Sequence, residues 1–469
     1  MIHGREKPGL LDILLDHYIV FCVFFALLMM TLTGVGDVRT VSMAGLLLCA
    51  AGLAQPSAAV DLWVFIPLVL YNGINMASSY AAHGNVTEGY GGIQMILPTI
   101  YLLTACMDDS GLLLLKRMCV VWAGILAAAG LVGYVAGALL GEGAGRMGGP
   151  LGNPNASGIF LVMGWFAVQK KETERSRADR GTDRWERIFA GLEPVLLAAL
   201  ALTLSMGSFV AMAAGILVLF FSERKRGRKE WFRYVCRTLA KASFGIGTGL
   251  LLYLGAARSG AGWVCVPLIL YVLAQAFYWK DLECFLQIHT RMAAGLAAGG
   301  ILVAGLAVGM RPAAFSTFAE RLEMMRSGFS YLTVAPVFGV GPFRWRLLDM
   351  QDGGTYFATW HIHNVLIHTA VEFGLAAAAM LIWLVVRFYR KKADACTKAS
   401  FTAYCVHNLM DTSFFYAGIT SFALILAGNP GEGGKRLGGM WLKALFLLLA
   451  ALHAVHFYNI SALQAGVLP

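Results

Sequence analysis

The 469-residue chain is 58% hydrophobic and 14% charged, with a mean hydropathy of +0.66. A soluble domain carries about a quarter charged residues, so composition excludes an ordinary one. The net charge of +10 invites a nucleic-acid reading, but its placement excludes that. Twenty of the 37 lysines and arginines fall in three short stretches, seven in 170–187, eight in 224–241 and five in 387–398. Each follows an apolar segment, and short basic loops mark the cytoplasmic side of a membrane. Contact with anionic membrane lipids is expected there.

Apolar runs recur from end to end, among them 18–35, 62–81, 119–140, 292–310 and 365–386. At about 20 apolar residues per span, about twelve to fourteen spans are expected. Lipid offers the backbone no hydrogen bonds, so the spans are helices. The expected fold is therefore all-α: a polytopic transmembrane helical bundle with one long extracytoplasmic loop containing short helices. It divides into N-terminal transmembrane helices (1–140), central transmembrane helices (141–310), an outer loop (311–364) and C-terminal transmembrane helices (365–469). With the basic stretches inside, alternation puts 141–157, 205–208, 258–262 and 311–364 outside. The N-terminus, with Arg5 and Lys7, falls inside, and the first helix lacks an A-x-A site and reads as an uncleaved anchor. The nine cysteines lie mostly in apolar segments, with no CxxC and none in 311–364, which argues against disulfides and a cysteine metal site.

In chain order, 1–140 reads as five helices with turns at 36–39, 55–61 and 83–89. His83 is a lone histidine near an outer end, explained as well by interfacial polarity as by function. Residues 141–157 read GEGAGRMGGPLGNPNAS. The Asn153-Pro154-Asn155 segment is a turn signal that would cap the next helix, or a polar elbow bordering a cavity. It is no phosphate loop, because the Lys-Ser/Thr ending is absent. Two outer turns resemble each other, Leu204-Ser205-Met206-Gly207-Ser208 and Ala257-Arg258-Ser259-Gly260-Ala261, and only the second carries a charge. Arg258 either snorkels at the boundary or faces an anion, for which its planar fork is suited.

The long polar segment 311–364 holds Arg321, Arg326, Arg344 and Arg346 against the positive-inside trend, and ends in His361-Ile362-His363-Asn364. Its residues 318–332 read as a helix with Phe318, Leu322, Met325 and Phe329 on one stripe. Pro336 and the Gly339-Val340-Gly341-Pro342 segment end it. His363 stands just before an apolar run and can take a proton near neutral pH. Further on, 401–428 reads as a short hairpin in which His407 and Asp411 would face each other at i,i+4, as a functional or a structural pair. A last helix, 440–458, would leave the C-terminus outside.

These residues together resemble the O-antigen ligase and polymerase family of bacterial envelope enzymes. Gly152-Asn153-Pro154-Asn155 is similar to that family's GNPN elbow. Arg321 through Arg326, followed by Pro336-Val-Phe-Gly-Val-Gly-Pro342, is similar to its arginine loop, and His363-Asn364-Val-Leu with Glu372-Phe-Gly374 to its His-Asn segment. The likeness runs from Gly152 to about Gly428, over half the chain. Three positions depart from it: Met325 stands for a tryptophan, Phe343-Arg344-Trp345 for Gly-Asn-Phe, and the Ser-Arg-Gly turn has two candidates, Ser205-Met206-Gly207 and Arg258-Ser259-Gly260.

The resemblance implies a GT-C-like fold at the bacterial cytoplasmic membrane, with glycosyl transfer on its outer side. The donor would be a glycan on undecaprenyl diphosphate and the acceptor a hydroxyl on a glycan or lipid-anchored envelope molecule. His363 would be the base, and Arg321 and Arg258 would bind the leaving diphosphate. Arg326, Asn364, His361, Arg344, Asn153 and Asn155 would line the substrate. Neither metal nor cofactor is expected, since arginines supply the positive charge and Asp349 and Asp352 are too loosely spaced to argue for a metal. Polymerisation of lipid-linked repeats is the alternative within the same chemistry. A lipid-linked glycan transporter is the alternative of another class, but it leads one to expect related halves and ionisable groups at the midplane. A non-catalytic scaffold would leave the outer arginines unexplained.

Overall fold

The computed structural model describes residues 17–33, 37–88, 91–142, 145–169, 180–258, 262–309, 313–428 and 434–464. The expected positions Arg5, Lys7, Ser259, Gly260 and Ala261 lie outside them. The described residues are mostly helical. Helices α1 (Tyr18–Leu32), α2 (Val38–Leu53) and α3 (Leu62–His83) are followed by α4 (Ile96–Thr104) and α5 (Asp109–Leu139). The central region holds α6 (Pro154–Val168), α7 (Arg180–Thr203), α8 (Met206–Glu223), α9 (Arg228–Ala257), α10 (Cys265–Ile288) and α11 (Thr290–Gly309). The polar segment folds as α12 (Ala313–Tyr331) and α13 (Trp345–Gln351). Helices α14 (Val365–Phe373), α15 (Leu375–Arg390), α16 (Ala395–Asn408), α17 (Ala417–Ala427) and α18 (Gly439–Gln464) complete the chain.

Among the described residues six helices are long and apolar enough to cross a membrane, and four more are apolar but shorter. Apolar composition makes this a membrane protein. The short ones do not stand alone: α6 is buried against α5, α7, α8 and α16, and α17 against α1 and α4, with Phe160 stacked on Phe422.

Helix starts differ between the two ends of the bundle. At the end with the basic stretches the caps are acidic: Asp61, Asp108 and Asp394 each accept an amide of the first turn. At the other end Asn153, Ser205 and Asn364 do the same for α6, α8 and α14, while Asp37, before α2, caps no amide with its side chain. A cap removes orphan donors, and a neutral one leaves the positive end of the helix dipole uncancelled.

Four features depart from the expectation. A two-stranded antiparallel ribbon joins β1 (Ser57–Val60) to β2 (Lys435–Gly438), Ser57 opposite Gly438 and Val60 opposite Lys435. The basic stretch 224–241 is mostly the first turns of α9, where Lys241 and Arg237 face inward. Lys241 meets Glu193 at 2.8 Å, and Trp279 and Trp165 donate to that same carboxylate. The stripe of Phe318, Leu322 and Phe329 on α12 is exposed; Met324, Gly328 and Tyr331 pack instead, against Trp345, Phe357, Ile362 and Val371. The face that packs also carries Arg321.

The fourth departure is the break at Gly374, which splits the apolar run after His363 into α14 and α15. The segment from Pro336 to Gly341 plugs that break. Val340 N–H donates to Val371 C=O (2.8 Å), Gly341 N–H to Glu372 C=O (3.0 Å), and Leu375 N–H to Pro336 C=O (2.9 Å). His83, at the end of α3, bonds the Pro342 carbonyl at 2.8 Å and holds the plug from the far side. Gly339 and Gly374 have φ of 70° and 92°, and a Cβ on either would overlap backbone of Glu372 or Val337. Gly374→Ala should therefore cost about 2–5 kcal/mol, strain plus overlap. Gly353 also has positive φ but open space around it, so Gly353→Ala should cost only about 1 kcal/mol. Thermal unfolding of both variants in detergent checks this; equal losses would mean the plug is not sterically fixed.

Candidate active site

Asp411 is the centre of a cluster at the neutral-cap end. It lies in the loop after α16, with its side chain 8% exposed. Its Oδ2 accepts from Arg321 Nη2 at 3.2 Å and from Asn155 Nδ2 at 2.7 Å, and its Oδ1 accepts from the Thr412 amide at 2.8 Å. His363 Nδ1 stands 3.8 Å from the same Oδ2. That is longer than a hydrogen bond and close enough to favour a proton arriving on the ring. The turn at Gly207 closes the cluster. A Cβ there would touch the His407 ring and the Arg321 guanidinium.

Each side chain arrives through a local structural cause. Asn153 caps α6, its Oδ1 taking the amides of Asn155 and Ala156, while Pro154 starts the helix without an orphan N–H. That cap points Asn155 into the cluster. Asn364 caps α14 through the Ile367 amide and donates to the Leu409 carbonyl at 3.1 Å, so it ties the histidine turn to the Asp411 loop. Arg321 lies on the packed face of α12, the face that carries Met324 and Gly328.

Burial pushes the His363 pKa below its ordinary 6.5; Asp411 opposes that shift and Arg321 adds to it. The ring is therefore neutral at pH 7 and able to accept a proton. His361 is pushed down to about 4, by burial first and by His363 second. Burial alone would raise the Asp411 carboxyl, but the fields of His407, His363 and Arg321 and the Thr412 amide hold it below its ordinary value. The group is an anion beside a neutral base and a fixed cation.

The cluster brings together Arg321, His363, Asn155 and Asp411, with Asn153 and Asn364 as the caps that aim them. His361 is half-buried behind it, its ring against His368 and Phe415. Arg326 and Arg344 are exposed, and no described contact links either to Asp411. Arg346 is stacked between Tyr356 and Trp360, at 4.7 and 4.5 Å from the ring centroids. Arg258 is exposed at the end of α9, and no described contact joins it to the cluster. His407 and Asp411 do not form an i,i+4 pair, because α16 ends at Asn408; His407 Nδ1 bonds Ser413 Oγ at 3.0 Å. Sequence reasoning noticed Asp411 but not that it is the hub. It passed over Arg146, whose Nη2 reaches Asn155 Oδ1 at 2.6 Å. The available signal was an arginine in 141–157, a segment that the basic stretches predict to lie outside.

A separate cavity, lined by Leu113, Val120, Phe189 and Leu426 with Lys116 and Arg117, lies at the acidic-cap end, away from this chemistry. Neither protein-family models nor curated proteins match the chain.

In protein with labelled histidines, magnetic resonance should find His363 titrating below 6.5. Asp411→Asn removes the largest influence raising that pKa, so the titration should move further down. An upward movement would mean that the carboxylate does not face the ring.

Proposed function

We propose that this chain is a membrane glycosyltransferase of the O-antigen ligase type. It transfers a glycan from an undecaprenyl diphosphate-linked donor to a hydroxyl of an envelope acceptor, on the extracytoplasmic side of the bacterial cytoplasmic membrane. The observation that carries this reading is the half-buried cluster of Arg321, His363 and Asn155 around the buried Asp411. It gathers a neutral base and a fixed guanidinium where three helices present neutral-capped N-terminal ends. Such ends favour anions, and the plane of an arginine matches phosphate.

In the reaction, the acceptor hydroxyl gives its proton to His363 as its oxygen attacks the anomeric carbon. The bond from that carbon to the diphosphate oxygen breaks, and the leaving undecaprenyl diphosphate carries away the electron pair. One displacement inverts the anomeric centre. Asp411 stabilises the imidazolium that forms, and Arg321 meets the charge that develops on the leaving phosphates. Transport is less well supported by the placement of these groups: Asn155, Ser205, His363 and Asp411 all lie at helix ends, whereas a transporter holds its ionisable groups near mid-membrane.

His363→Ala should lower transfer about 10²–10⁴-fold, and Arg321→Ala about 10²–10³-fold. The check follows lipid-linked donor and glycosylated acceptor in membranes with equal protein content. Donor should accumulate on the outer leaflet. Full transfer by His363→Ala would remove the proposed base, and donor stranded on the inner leaflet would favour transport.

A further inference from the structure

Arg346 is the buried cation of the polar segment that the cluster does not use. Its guanidinium lies over the rings of Tyr356 and Trp360. The residue is 9% exposed, and its Nε is buried without a hydrogen-bond partner. Among the described residues the guanidinium makes no hydrogen bond or ion pair, so two ring faces are what hold it. Asp349, one turn on, is occupied by the Ser327 hydroxyl, which donates to its Oδ1. Stacking covers the faces of a guanidinium and leaves its N–H groups, which lie in its plane, to donate elsewhere.

The two rings are exposed, Tyr356 by 66% and Trp360 by 43%. Their neighbours in sequence fix them in place. Trp345 and Phe357 are buried and stack at 5.4 Å, and Trp345 Nε1 donates to Ser327 Oγ on α12 at 3.1 Å. Thr355 Oγ1 donates to Glu323 Oε1 at 2.7 Å, which ties the chain before Tyr356 to the same helix. The stack is therefore built, and it adjoins the site. Trp360 meets Phe343 edge-on at 6.5 Å, Phe343 meets the His361 ring at 6.1 Å, and His363 follows two residues later. An interfacial aromatic belt would present indole and phenol rings singly to lipid, whereas these two share a cation.

We propose that Tyr356, Arg346 and Trp360 form a saccharide subsite that takes an acidic pyranose of the glycan substrate. The C–H face of the sugar lies on exposed aromatic surface, and its carboxylate or phosphate meets the N–H edge of Arg346, a planar fork that matches either anion. The proposal rests on the transferase reading above and names the class of sugar that the enzyme handles.

The test measures binding to the purified full chain in detergent by ligand-observed magnetic resonance, with the unfolding midpoint of each variant as a check on folding. The probes are methyl glucuronide, methyl galacturonide, glucose 6-phosphate and the uncharged methyl glucoside. At least one charged sugar should bind about tenfold more tightly than methyl glucoside, the effect of one charge-assisted contact. Comparison of the uronates with the phosphate shows which anion is taken. Arg346→Gln should abolish that preference. Tyr356→Ala and Trp360→Ala should weaken charged and uncharged sugars alike, by about threefold or more. Should Arg346→Gln not fold, Tyr356→Ala at its exposed position decides: that loss upholds the subsite, and unchanged binding overturns it. A wild type without preference for charge, or a folded Arg346→Gln that keeps the preference, also overturns it. So does a loss of short-chain phosphatidylglycerol binding in the variants with sugar binding unchanged, which would assign the stack to lipid headgroups. His363→Ala should leave sugar binding as it is, so the two readings fail separately. Failure of the subsite leaves the transferase reading standing, and full transfer by His363→Ala removes the base without touching the subsite.

Discussion

A carboxylate buried beside apolar helices has to be paired, and Asp411 recruits its partners from far along the chain. Arg321 comes from α12, Asn155 from the start of α6, and the Thr412 amide from its own loop. Removing one partner from a buried ion pair typically costs about 3–5 kcal/mol, so the pairing holds these segments in register. His363 is brought to the same oxygen by Asn364, which caps α14 and bonds the Asp411 loop in one step. The rest of the bundle supports this convergence. The Pro336–Gly341 plug fills the break at Gly374, and His83 and Ser78 bond it and the α14 terminus from α3.

The two ends of the bundle have opposite electrostatic characters, and helix caps create much of that difference. At the acidic-cap end Asp61 is nearly fully buried and meets Arg387 at 2.8 Å and Lys391 at 2.9 Å. Charge there is matched by charge. At the other end Asn153, Ser205 and Asn364 satisfy the same backbone amides without adding a negative charge. The dipoles of those three helices are offset by no acidic cap. Putting the acidic caps elsewhere keeps that field intact.

Much of this was legible in the sequence. Long apolar periodic runs gave most of the helices, while the expected turn at 55–61 is largely the strand β1. The arginines placed against the positive-inside trend marked the polar segment, and Arg321 and His363 do meet around one carboxylate. What stayed hidden depends on contacts distant in sequence. The β1–β2 ribbon pairs two four-residue strands from opposite ends of the chain, too short to announce themselves. The break at Gly374 is one glycine in an apolar run. The i,i+4 reading of His407 and Asp411 assumed a helix that stops at Asn408. The exposed stripe on α12 shows the same limit: an apolar face reveals where a helix meets something apolar, but not whether that is protein. Arg258 had the local pattern of a site arginine, and no described contact joins it to the cluster.

The most direct measurement is reconstitution. The purified chain, in vesicles holding a lipid-linked glycan and candidate acceptors, would be assayed with and without a metal chelator, and the anomeric configuration of the product read by magnetic resonance. Transfer that inverts the donor linkage, survives the chelator and is lost in His363→Ala is expected. A retained configuration, or movement of the intact donor across the bilayer without transfer, would contradict a single displacement driven by the His363–Asp411 cluster.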